Sequence, residues 1–171
     1  MLRPLAIIVT AILVSGAPIR AAFAQDHQPE PGYLDDRSTP EAVMRSLYDA
    51  VKKGEYARAY GYWEATSAQL PPFDEFQQGY ADTASVDLTI GDVGGGVGAG
   101  QLFFTVPVTL VATALDGSTQ TFVGCYILHL ARPQLQAVPP YHPMAIQSAS
   151  VEAVADDADT TALMQQACPP V

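Results

Sequence analysis

The chain has 171 residues, with eighteen Asp and Glu against eight Lys and Arg, a formal net charge of −10 with its three histidines neutral. An acidic surface of this size repels phosphate backbones and anionic lipid headgroups, so no nucleic-acid partner and no stable membrane insertion are expected. The two cysteines form no Cys-x-x-Cys pair, which excludes a thiol-redox motif of that kind.

Residues 1–24 have the organisation of a secretory signal peptide. Arg3 is followed by the apolar stretch LAIIVTAILVSGA, and Ala22-Phe23-Ala24 is a small-x-small cleavage pattern. The apolar run is too short to span a bilayer well, and no cysteine follows it as a lipid attachment point, so a periplasmic or secreted protein is expected. Cleavage would remove Arg3 and Arg20, taking the net charge from −10 to −12. Residues 25–36 (QDHQPEPGYLDD) are polar, acidic and proline-bearing and read as a flexible leader. Residues 37–171 then form a single domain. In an oxidising compartment Cys125 and Cys168 are expected to form a disulfide.

A first helix starts at Ser38–Pro40, either with Thr39 as cap and Pro40 at the first helical position, or with Ser38 as cap and Glu41 closing a capping box. Val43, Leu47, Ala50 and Val51 make its apolar face, and Gly54 ends it. A second helix is predicted from about Glu55, with Tyr56, Ala59, Tyr60 and Trp63 on one stripe. After Pro71-Pro72 a short third helix places Phe73, Phe76 and Tyr80 together.

From Ala84 the period changes to two. Val86, Leu88 and Ile90 alternate with Asp87, Thr89 and Gly91. GGGVGAG (94–100) reads as a mobile connector. The next strand alternates Leu102, Phe104, Val106, Val108 and Leu110 with Phe103, Thr105, Pro107 and Thr109. Pro107 lacks a ladder donor and belongs at a bulge or an edge. Asp116-Gly117 signals a two-residue hairpin. The returning strand STQTFVGCYILHLA is apolar on both faces, as a central strand would be. A proline-laden loop leads to a last strand near 146–154 and a short helix near 160–167, capped by Asp159 or Thr160. The fold class is α+β: three N-terminal helices on a curved, mainly antiparallel four-stranded sheet, with a short C-terminal helix.

The Ser38-Thr39-Pro40-Glu41 start, the Gly54-Glu55 turn, the aromatic second helix and the long bulged strands resemble the nuclear transport factor two-like superfamily. That superfamily includes SnoaL-type cyclases and ketosteroid isomerases. The resemblance covers about residues 37–155 and implies a sheet wrapped around a long helix into a cone whose mouth is often a ligand cavity. It does not carry the isomerase activity over. Leu47 stands where those enzymes place a tyrosine, with Tyr48 one step around the helix. Glu64 is the only carboxylate in the segment that holds their base, and the long strands show Thr and apolar residues where those enzymes place an acid.

Asp87 is the weak catalytic candidate, a general base only if its strand face were buried. His129 and His142, with an Asp, would be the residues of a metal site, but their spacing fits no ligand motif and no metal is expected. GGGVGAG lacks the Lys-Ser/Thr of a phosphate loop, and Asp156–Asp159 lack calcium-loop spacing, so no cofactor is expected. The aromatic set Tyr56, Tyr60, Trp63, Phe76, Tyr80 and Tyr126 is the candidate ligand pocket, because buried tyrosines need partners for their hydroxyls. The alternative is plain core. The resulting expectation is a non-catalytic binding or scaffold module for a small apolar ligand or an envelope protein. Its rivals are an enzyme using Asp87 with the tyrosines, and a homodimer formed through the open sheet face.

Overall fold

The computed structural model describes residues 32–169; the signal-peptide pattern and most of the leader lie outside them. The element order is α1 (Pro40–Lys52), α2 (Tyr56–Tyr60), α3 (Phe73–Gln78), β1 (Thr83–Ile90), β2 (Gly94–Gly98), β3 (Gln101–Ala114), β4 (Thr119–Ala131), β5 (Ala145–Val154) and α4 (Thr160–Gln166), with one 3₁₀ turn at Pro133–Leu135. It is an α+β arrangement with a curved antiparallel sheet, of five strands where four were expected.

Thr39 is the cap of α1: its hydroxyl accepts from the Ala42 amide at 3.1 Å with Pro40 at the first helical position, a contribution of about 1 kcal/mol. Ser38 is outside the helix and donates its amide to Asp36. Val43, Met44, Leu47, Tyr48, Ala50 and Val51 are buried along α1, and Gly54 ends the turn at φ +67°. This stripe meets the inner sheet face, where Val106, Val108, Leu110, Tyr126, Leu128 and Ile146 complete the core. Each such large side chain contributes about 1.5–3 kcal/mol by leaving water.

The chain is already fastened at Tyr33. The Leu34 carbonyl accepts from Arg58, the Asp35 carboxylate accepts from the Tyr62 hydroxyl at 2.8 Å, and the Asp36 amide donates to the buried Ser46 hydroxyl at 2.9 Å. The last residues of the segment read as leader therefore lie against α1 and α2, because these two helices offer them hydrogen-bond partners.

Four local expectations change. The glycine-rich stretch is the strand β2, paired with β3 from Gly94↔Thr105 to Gly98↔Gln101. Ala99 (φ +49°) and Gly100 (φ +79°) make the two-residue turn, the positive-φ pair that suits strand twist. Backbone pairing needs no side chains, so the composition concealed the strand.

The hairpin after β3 is one residue longer than Asp116-Gly117 implies. The Gly117 amide donates to the Ala114 carbonyl at 3.0 Å, the Ala114 amide donates to the Ser118 carbonyl at 2.8 Å, and Gly117 lies at φ +85°. This is the three-residue loop with a left-handed third residue. It sets the register so that Phe103 opposes His129.

Pro107 sits in a central strand, where an edge or bulge was expected. Its carbonyl accepts from Gly91 at 2.8 Å, so its ring nitrogen faces the same side, the break between β1 and β2 where no ladder acceptor waits.

The second helix stops at Gly61, so Trp63 is not on its stripe. Beyond the stop, Ile146 donates to the Tyr62 carbonyl (2.8 Å) and Glu64 donates to the Ile146 carbonyl (2.9 Å), a short bridge against the free edge of β5. A sheet edge satisfies this backbone where a further helical turn would leave β5 unpaired.

The outer sheet face is also covered. Cys125 on β4 is joined to Cys168 just after α4, with an S–S distance of 2.03 Å. Met164 lies over Gly91, and Asp159 caps α4 through the Ala162 amide. Thr105, Thr109 and Val123 on that face are consequently buried.

Candidate functional site

Of the predicted aromatic set Phe76 and Tyr126 are buried and Tyr56, Tyr60, Trp63 and Tyr80 half-buried, and the rings meet one another. Tyr56 stacks on Tyr80 at 6.1 Å between centroids, Tyr60 meets Phe73 and Phe76 edge-on, Phe76 meets Tyr80 edge-on, and Trp63 meets Tyr126 at 6.3 Å. The hydroxyls find partners as well: Tyr60 donates to the Pro71 carbonyl at 3.0 Å, and Tyr126 shares a 2.7 Å bond with Tyr48. Tyr48, passed over in the sequence for lying one step off the family's position, is therefore the polar centre of the cluster. Burial, together with the neighbouring Tyr126, holds the hydroxyls of Tyr48 and Tyr80 well above the ordinary phenol range. Among the described residues one group is left out: the Trp63 indole N–H is buried and finds no acceptor there.

A second constellation lies at the other end of the outer sheet face. Strand alternation puts Gln101 and Phe103 of β3 and His129 of β4 on that face. The Tyr62–Glu64 bridge carries Glu64 alongside the start of β5. The His129 imidazole is then bonded on both sides, Nδ1 to Glu64 Oε1 and Nε2 to Gln101 Oε1 at 2.5 Å, while Phe103 stacks on its ring at 4.9 Å. Above this row is a cleft of about 570 Å³ whose walls include Trp63, Glu64, Ala65, Gln136 and His142, with mostly apolar surface. The proline-laden loop forms one wall. Gln136 braces it, donating to the Ala131 and His142 carbonyls and accepting from the His142 amide at 2.7 Å. Arg37, also at the cleft, is spent on the Gly61 and Met144 carbonyls and lies 4.3 Å over the Tyr62 ring.

The structure thus brings His129 and His142 to one cleft, but the carboxylate in its lining is Glu64 and not the Asp expected with them. No group of three or more metal-binding side chains is formed among the described residues. His129 has no ring nitrogen left to ligate. Asp87 is exposed on the edge strand β1 opposite Val111, so it lacks the burial a general base would need. Gln101 carried no signal in the sequence beyond its place at a strand end. Glu64 was visible only as a departure from the isomerase pattern.

No known protein family matches the chain, and no curated protein matches it. Solved structures similar to part of it include the following three. One is a SEC-C-motif-containing protein from Rhodopseudomonas palustris, 16% identical over 71% of this chain and 83% of that one, with a TM-score of 0.48. Another is a protein assigned as a dehydratase of the NTF2-like family from Streptomyces avermitilis, 12% identical over 67% and 93%, TM-score 0.45. The third is the beta subunit of a protein assigned as an aromatic-ring-hydroxylating dioxygenase from Novosphingobium aromaticivorans, 11% identical over 72% and 92%, TM-score 0.47. Among the described residues no helix is long and apolar enough to cross a membrane.

Proposed function

We propose that this chain is an exported, non-catalytic binding module of the nuclear transport factor two-like kind, and that it holds a small, largely apolar ligand in the cleft over His129. The reading of the fold rests on the order of elements, a thirteen-residue helix laid on a curved antiparallel sheet. The reading of export rests on the signal-peptide pattern together with the Cys125–Cys168 pair, which belongs to an oxidising compartment.

One observation carries the non-catalytic reading: the His129 ring is saturated. A general base needs a free nitrogen aimed at the substrate. Here Glu64 and Gln101 take both nitrogens and Phe103 covers a face. The triad makes a rigid floor for a mostly apolar cleft with a few fixed polar groups, which is the usual make-up of a small-molecule site.

Native mass spectrometry of the protein purified from its own cell envelope tests this. A retained small molecule is the expected result, and Ala65→Trp, which crowds the cleft from an exposed position, should abolish it. An adduct that survives Ala65→Trp places the ligand elsewhere.

A second reading, in which the ring cluster itself opens for an apolar ligand, is favoured by the orphaned Trp63 N–H. Under that reading Tyr48→Phe, and not Ala65→Trp, removes the adduct.

A further inference from the structure

The two sulfurs of the disulfide stand in different surroundings. Cys125 is buried on β4, 3% exposed, whereas Cys168 is part of the wall of a cleft of about 310 Å³ formed with Gly91, Asp92, Pro107, Met164 and Gln165. The helix that precedes Cys168 is lightly held. α4 has seven residues, none of them buried. Its ties to the sheet include the disulfide and the Met164 side chain, which lies over Gly91 and takes a 3.7 Å contact from the Thr109 hydroxyl. A second cleft, of about 280 Å³, runs along its other flank beside Val123, Gly124 and Leu163.

We propose that Cys168 is a thiol–disulfide exchange site, opened by a dithiol that enters through the first cleft, and that opening it releases α4 from the sheet. The attacking thiolate bonds to Cys168 Sγ, and Cys125 departs as a thiolate that takes up a proton. The second thiol of the reagent then displaces Cys168, and the reagent leaves as a disulfide. The protein gains two electrons and two protons, and the dithiol loses them. Attack on Cys168 is favoured because access decides which sulfur of a disulfide is reached. Release uncovers Pro107, Thr109 and Val123, the outer-face residues that lie beside α4. The core beneath stays intact, since α1 and the inner sheet face take no part in holding α4.

The test treats the folded protein with dithiothreitol in native buffer, traps thiols with iodoacetamide, and follows amide exchange and the near-ultraviolet spectrum. Expected are two alkylated cysteines, lost protection confined to residues around 155–169, and an unchanged aromatic spectrum. Gln165→Trp, which narrows the cleft from its exposed rim, should slow the reaction at least several-fold; Thr161→Phe serves if that variant does not fold. Alkylation that needs denaturant, or that comes with loss of the aromatic spectrum, overturns the exchange site. Reduction that leaves α4 amides protected overturns its release, and an unchanged rate in both narrowed variants overturns the route.

Discussion

The hydroxyl of Tyr48 has one partner among the described residues, that of Tyr126, and both side chains are buried. Removing one oxygen leaves the other desolvated and unpaired, which costs about 1–3 kcal/mol, whereas removing both leaves no unsatisfied group. Urea unfolding of Tyr48→Phe, Tyr126→Phe and the double variant should therefore be strongly non-additive, with the double variant losing less than the sum. Simple additivity would mean that the pair is not bonded.

The same burial predicts an alkaline limit. Tyr48, Tyr62, Tyr80 and Tyr126 have folded pKa values raised above the ordinary 10.0, chiefly by desolvation. The folded state therefore keeps protons that the unfolded state gives up. Their contribution is fully present below pH 10 and falls away as pH rises beyond it. A titration followed at 295 nm should show about half of the eight tyrosines ionising only as the near-ultraviolet spectrum collapses. Ionisation of all eight in the folded protein would contradict the buried cluster.

Among the elements, β4 makes the sharpest demand on sequence. Gly124 faces β5 so closely that an added Cβ would lie 2.1 Å from the Ser150 carbonyl oxygen and 2.6 Å from the Val151 Cα. Both are backbone atoms, which cannot rotate away. Gly124→Ala should cost at least the 1–3 kcal/mol typical of overpacking, while Gly98→Ala, with open space around it, should be close to neutral. Thermal melts of the two variants check this, and equal melting temperatures would sink it.

At this scale the sequence was a good guide where one face alone met the core. The alternation of β3 and the stripe of α1 were readable because burying one face imposes a period. It misled at Trp63. The spacing from Tyr56 continues a helix, but the β5 edge competes for the same backbone and takes it. It misled again at β2, where four glycines carry no period to read.

For the whole molecule, the disulfide closes 43 residues of chain. In the chain-entropy account such a loop contributes about 4 kcal/mol by restricting the unfolded state. A Cys125→Ser, Cys168→Ser variant should lower the denaturation midpoint accordingly while keeping the aromatic near-ultraviolet spectrum. A midpoint within error of the parent would show that the bridge adds nothing to global stability. Asp87→Asn, exposed on its edge strand, should leave stability and any ligand adduct unchanged.

The acidic balance, the signal-peptide pattern, the pairing partners available to two cysteines and the helix-then-strand order could all be read from the chain, since each depends on composition or on neighbours a few residues apart. The rows Glu64–His129–Gln101 and Tyr48–Tyr126 could not. Their members are 65, 28 and 78 positions apart, and only strand register and a bridge at the β5 edge bring them together. A one-residue difference in the β3–β4 turn decides whether His129 faces Phe103 or the core, and that difference is settled by how the strands pack.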